Sequence, residues 1–295
     1  MSRAVSPSVS RPYGVVRVCE EWGASRSTYY ARRSEKDPPG KRGPKTKQTD
    51  EEVITAMREV LADSPFTGEG HRKVRGLLRG KRKIRIGRPR CLRLMREADL
   101  QPAPVARRSL GPRVHDGKIT TDHPDEMWGT DATGTFTLEE GQVTVFVAVD
   151  HCTAECVGIH AAEYATRFEA LEPIRQGVRR SFGGYGEDVA KGLLLRHDHG
   201  SQFVSRAFQD EIRFLGVESS PSFVRSPEGN GCSERFIRTL KEQLLWTQWF
   251  RNVEELLEAL HEWVKTYNES WMVERFDHRS PNEIRAQFVK NREAA

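Results

Sequence analysis

Two short apolar runs in this chain each stop at an aspartate, and they constrain the fold more than any other feature. QVTVFVAVD closes on Asp150, and LLLRHD closes on Asp198. The first is rich in β-branched residues and both read as buried strands. Residues 127–137 and ECVGIHA (155–161) add two more strand-like segments, and a short strand is expected at about 217–220. Helix-like stretches at 165–182, 205–215 and 231–250 fall between and after them, so the pattern is that of an α/β domain. Open α/β sheets carry their ligand sites outside the carboxyl ends of strands. A carboxylate at such an end, flanked as Asp198 is by His197, His199 and Gly200, is therefore either a loop cap or a ligand.

The last helix is announced by Asn252 as cap, with Glu255 three residues on. Leu256, Leu257, Leu260, Trp263, Val264 and Tyr267 then line one face. Upstream of residue 121 the texture is different. Val15, Val18, Cys19 and Trp22 recur at helical spacing, Gly23 interrupts, and the basic segment RSTYYARR comes next, which fits a helix-turn-helix over 1–35. A Pro/Gly/Lys-rich linker covers 36–49. Residues 50–100 read as three helices, with an apolar face of Val53, Ile54, Met57, Val60 and Leu61, a second of Val74, Leu77 and Leu78, and a third helix from Pro89 carrying Leu92, Met95 and Leu94. A second basic, Pro-rich linker covers 101–120.

Charge respects the same boundary. Residues 1–118 hold 28 Lys/Arg against 13 Asp/Glu, while the other 177 residues hold 19 against 29. A net of +15 beside a net of −10 points to a basic half that meets a polyanion. Arg26, Arg32 and Arg33 in the first module and Arg72, Lys73, Lys81, Arg82, Lys83 and Arg85 in the second are the candidate DNA contacts. No apolar stretch is long enough to span a bilayer, and the first residues lack a signal-peptide core, so a cytoplasmic, nucleoid-associated protein is expected. Five scattered cysteines do not form a disulfide framework.

Three acids are placed suggestively: Asp131 within the first strand, Asp198 at the end of the fourth, and Glu234 on the helix GCSERFIRTLKEQLL, with 35 residues between the last two. Brought together, they would offer oxygen ligands to hard divalent cations. Asn230, Glu234, Arg238 and Lys241 fall on one helical face, a stripe suited to a metal ligand beside a DNA backbone; Phe236, Ile237, Leu240 and Leu244 form the face expected to pack on the core.

WGTDAT, HDHGSQF and SPEGNGCSERFIRTLKEQ resemble the three blocks of the integrase core in bacterial insertion-sequence transposases, the superfamily that includes retroviral integrases. CEEWGASRSTYYARR, GHRKVRGLLR and CLRLMREADL are similar to the helical DNA-binding segments that precede such a core, and YNESWMVERFDHRSPNEI to its C-terminal end. The resemblance implies an RNase H-like core over 121–290, with a mixed five-stranded sheet and flanking helices, preceded by small all-α DNA-binding domains. It implies two Mg2+ (or Mn2+) ions held by Asp131, Asp198 and Glu234, with Asp131 bridging both. It implies DNA phosphates steadied by Arg238, Lys241 and Asn230. The activity implied is hydrolysis that frees a 3′-OH at an element end, then transfer of that 3′-OH to another phosphodiester. The partners implied are double-stranded DNA and a second copy of the chain, with the product of an upstream reading frame as a further one. Many members carry Asp-Asn shortly before the glutamate, where this chain has Gly229-Asn230.

Alternatives stand beside this. Asp150 competes with Asp131 for a metal; His151, Cys152, Cys156 and His160 mix zinc-ligand types, although small buried residues explain them better. A DNA-binding regulator without catalysis, or a nuclease that cuts without joining, shares the basic modules or the acids.

Overall fold

The computed structural model describes residues 3–33, 47–103, 119–222 and 230–293. The chain forms two compact units, 1–49 and 50–295. In the first, helices α1 (Val15–Glu21) and α2 (Arg26–Arg33) flank a turn in which Gly23 adopts φ +58°. Arg26 and Arg32 are exposed on α2, and the Arg33 side chain lies outside the described residues. So do most of the two linkers and Gly229.

The second unit begins with α3 (Asp50–Ala62), α4 (His71–Lys81) and α5 (Arg88–Glu97). They close on Val53, Met57, Val60, Val74, Leu78, Leu94 and Met95. Composition separates this segment from residues 121 onward, but packing does not. Phe66, between α3 and α4, enters the main core and meets Trp263 and Trp271 edge-on. Thr67 N–H donates to Gln243 Oε1 at 2.9 Å, and Arg72 pairs with Glu274 at 3.1 Å.

Strands β1 (Met127–Thr137), β2 (Gly141–Asp150), β3 (Cys156–Ala162), β4 (Leu194–His197) and β5 (Glu218–Pro221) form one sheet in the order β3-β2-β1-β4-β5. β1, β2 and β3 are antiparallel neighbours, whereas β4 runs parallel to both β1 and β5. This is the mixed five-stranded sheet of an RNase H-like core. Helices cover both faces, so β2 is apolar almost throughout instead of alternating. Val143, Val145, Val147 and Val149 pack under α9 (Gly231–Leu240) and α10 (Val253–Ser270). Phe146 and Ala148 pack, with Trp128, under α6 (Arg167–Phe182) and α8 (Arg206–Phe214), which comes after the short α7 (Ser201–Val204). Asn252 caps α10 as expected, accepting from Glu255 N–H.

Two features depart from the sequence pattern. The helix expected over 231–250 leaves α geometry at Lys241, where a π turn runs to Leu245, and the chain then returns Phe250 to bridge Thr137. A further helix, α11 (Pro281–Glu293), comes after α10. Of its residues only Pro281 and Ile284 are buried. It is anchored instead by Arg285, which pairs with Asp125 at 2.6 Å and with the fully buried Glu155. Among the described residues no helix is long and apolar enough to cross a membrane.

Candidate active site

β1 and β4 run side by side, with Gly129 opposite Arg196. Two residues further along each chain lie Asp131 and Asp198, which the parallel register places at the same level, Asp198 just beyond the end of β4. Alternation along β1 puts Asp131 on the same face as Gly129, and that face receives the N-terminus of α9. A Cβ on Gly129 would lie 2.7 Å from Asn230 Oδ1, 2.8 Å from His151 Nε2 and closer still to Ser233 Oγ. The missing side chain is what lets α9 come down on the strand. Asn230 Nδ2 donates to Thr130 O at 2.9 Å and fixes the contact. Glu234, next to Ser233 and one turn on from Asn230, is thereby carried to the side of Asp131.

The Asp131 carboxyl feels both other acids. Burial pushes the Asp131 carboxyl up to about 6; the Ala132 N–H it accepts from opposes this, and the charges of Asp198 and Glu234 raise it further. Lys241 pulls the other way. Burial also raises the Glu234 carboxyl. Asp198 Oδ1 accepts from Gly200 N–H at 2.8 Å.

Among the described residues, no three acid, imidazole or thiol groups stand close enough together to hold a metal ion. The donor set nonetheless fits a hard divalent cation, because it is all carboxylate oxygen. Burial first, and the neighbouring carboxylates after it, resist ionisation of Asp131, and a cation there would relieve that cost. Asp198 and Glu234 are exposed, so their side chains are free to turn toward it.

The remaining candidates divide. Arg238 is exposed and pairs with Glu242 at 2.8 Å. Lys241 lies at the start of the π turn, near enough to Asp131 to affect its charge. Asn230, expected among the DNA contacts, is only 4% exposed. Its helical position is on the predicted face, but its Nδ2 is spent on Thr130 O, so here it anchors α9 to β1. Lys73 is also turned inward: its Nζ sits 2.8 Å from the Trp271 ring centroid, and burial pushes it down to about 7. Arg82 pairs with Glu59 at 3.1 Å, and Lys81 reaches Asp63 O at 3.5 Å. Lys83 and Arg85 are exposed.

Asp150 is fully buried and saturated, accepting from Thr153 N–H (2.6 Å), Thr153 Oγ–H (2.8 Å) and Asp125 N–H (2.8 Å). It caps the β2–β3 turn and is not available to a metal beside Asp131. The mixed His/Cys set is dispersed in use: His160 bonds Glu169 at 2.6 Å, the Cys156 thiol donates to Gly158 O, and the Cys152 thiol to Asp122 O. What sequence reasoning missed is the buried polar ring around Gly129. His151 Nε2, Asn230 Oδ1 and Ser233 Oγ all lack a partner among the described residues. The one available signal was the glycine two residues before Asp131.

Asp131 thus lies on β1, Asp198 just past the end of β4 and Glu234 on α9. Two family profiles, each described as integrase core domain, match residues 121–227 and 215–271, which together span just over half of the chain. The chain belongs to the integrase core family. It is 26% identical over 299 residues to transposase InsD for insertion element IS2 of Escherichia coli, covering 96% of this chain and 94% of InsD. It is 27% identical over 258 residues to the 48.2 kDa protein of insertion element IS2A of the same organism, spanning 82% of this chain and 57% of that one. Among solved structures, the catalytic core of BIV integrase is similar at 20% identity and a TM-score of 0.42, over 57% of this chain and 99% of that one. The HTLV-2 integrase core in complex with magnesium is similar at 17% identity and a TM-score of 0.41, over 55% and 97%.

Proposed function

We propose that this chain is a metal-dependent DNA transposase that binds the ends of a mobile element, cleaves to free a 3′-OH, and joins that 3′-OH to another DNA strand. The observation that carries this is the placement of Asp131 on β1, of Asp198 just past the end of the adjacent parallel β4, and of Glu234 on the helix packed over β1. Asp131, Asp198 and Glu234 would hold Mg2+ or Mn2+, two ions per site. Bound there, such ions activate an attacking oxygen and stabilise a leaving one. The protein's own part is positional. Gly129 and Asn230 set the height of α9 over β1, and through it the reach of Glu234. Lys241 places a positive charge beside the acids, where a strand's phosphate would lie, and Arg238 extends that track one turn along the exposed face. The basic helices of both units supply affinity for duplex DNA. Because two element ends must be brought together, the working form is at least a dimer on DNA, in the cytoplasm at the nucleoid.

The test is a joining assay on end-sequence oligonucleotides with Mg2+, comparing wild type with Glu234→Gln. Joined product from wild type and none from the variant is expected. Cleavage without joining would make the protein a nuclease, and tight binding with neither reaction a regulator.

A further inference from the structure

Arg196 puts a guanidinium on the face of the sheet that carries the acids, and the acids do not use it. It precedes Asp198 by two residues on β4 and stands opposite Gly129 on β1. Its neighbours Leu195 and His197 turn the other way. Leu195 belongs to the core under α6 and α8, and the His197 ring meets Phe203 and Phe208 of that core. Strand alternation therefore turns Arg196 toward the α9 face, with Gly129 and Asp131. Its charge is felt there. Burial first, and then the positive charges of Arg196 and Arg275, hold the His151 imidazole beside Gly129 below the ordinary histidine range.

The guanidinium is fixed but not neutralised. Nη1 donates to Pro221 O at 3.3 Å, and Nε is buried without an acceptor. Arg175, Arg180, Arg238 and Arg285 of the same unit each pair with a carboxylate, whereas Arg196 forms no ion pair among the described residues. A buried stem and a backbone carbonyl thus hold the plane in place while the charge stays without a counter-ion. Such a group suits an anion with two oxygens to offer, and Arg matches phosphate in that way. Two strand residues span about 6.6 Å, so Arg196 is set back from the level of Asp131 and Asp198 by close to one nucleotide step. A ligand whose anionic groups repeat at that interval is a nucleic-acid strand.

We infer that Arg196 is a further substrate-binding residue of the reaction, a clamp for the phosphate next to the one that reacts. Lys241 approaches the acids from the helix, and Arg196 approaches the same strand from the sheet. The inference rests on the transposase reading and deepens it.

The experiment is a charge-neutralisation scan of the cleavage step. End-sequence duplexes, each with one uncharged methylphosphonate linkage beside the scissile bond, are cleaved with Mg2+ by the full chain, wild type and Arg196→Ala. On unmodified duplex the variant should lose about 10- to 100-fold in kcat/KM, the loss of a charge-assisted bond. In wild type, neutralising one linkage next to the scissile bond should cost a similar factor. In Arg196→Ala the same linkage should cost nothing further, because the contact is already gone. Arg196→Lys, which keeps the charge without the fork, should recover part of the loss and part of the sensitivity. If Arg196→Ala does not fold, Arg196→Gln is read by the same scan. Wild-type cleavage by the alanine variant overturns this residue alone. So does a loss that every neutralised linkage deepens as much in the variant as in wild type, which is the mark of a structural role. Wild type that cleaves no duplex overturns the transposase reading and this residue together.

Discussion

Gly129→Ala is the sharpest perturbation of the active site, because it adds one methyl group where α9 meets β1. The new Cβ would stand 2.7 Å from Asn230 Oδ1 and 2.8 Å from His151 Nε2, with Ser233 Oγ nearer than either. Ordinary contact begins at 3.4 Å, so the N-terminus of α9 must lift by more than 0.7 Å, the difference between 3.4 and 2.7 Å, because Ser233 Oγ is nearer still. Asn230 would be pulled from Thr130 O, and Glu234 would move with it, away from Asp131. A misplacement of about 1 Å costs on the order of 10²-fold in rate, while overpacking of a buried site costs about 1–3 kcal/mol in stability. The joining rate per folded molecule should therefore fall about 10- to 100-fold, with denaturant unfolding still cooperative. Gly158→Ala is the control. Its Cβ would run into the backbone of Pro173, but β3 lies two strands away from Asp131. That variant should lose stability and keep its rate per folded molecule. If Gly129→Ala joined DNA at the wild-type rate, or if both variants lost rate in proportion to stability, the height of α9 would not be what sets the site.

Asp131→Asn should abolish joining and yet stabilise the metal-free protein. The native carboxyl titrates near 6 against an ordinary 3.8, so the native state holds a proton that the unfolded state has released. Wild-type stability therefore falls as pH rises through that window and stays lower above it; the variant's thermal midpoint should exceed wild type at pH 7.5, and the advantage should vanish below about pH 4. Added Mg2+ should raise the wild-type midpoint and leave the variant's unchanged, since only a native-state ligand stabilises. Lys73 runs in the opposite sense. Its amine is pushed down to about 7 from 10.5, so its contribution makes stability rise with pH between those values. Lys73→Met should flatten that rise in urea titrations and leave the salt slope of DNA binding unchanged, because the amine faces Trp271 and not solvent.

Much of this protein is written along the chain because the signals are local. β-branched runs mark β2 and its neighbours, Asn252 and Glu255 start α10, and Thr166 and Gly183 cap α6. The acids at 131, 198 and 234 are legible because their spacing and flanking residues carry a family pattern. The far end was harder. α11 buries only two residues and is held by Arg285 on Asp125 and Glu155, charge pairs spanning more than 100 positions that no local pattern encodes. A helical wheel puts Asn230 on the exposed stripe, yet the absence of a side chain at Gly129 draws it down to Thr130. Lys73 reads as one more basic residue until Trp271 covers it. Local chemistry thus set which segments are strands and helices and which acids matter. Only the tertiary packing, by bringing distant chain segments into contact and excluding water there, decided which polar groups stay exposed and which are buried as anchors.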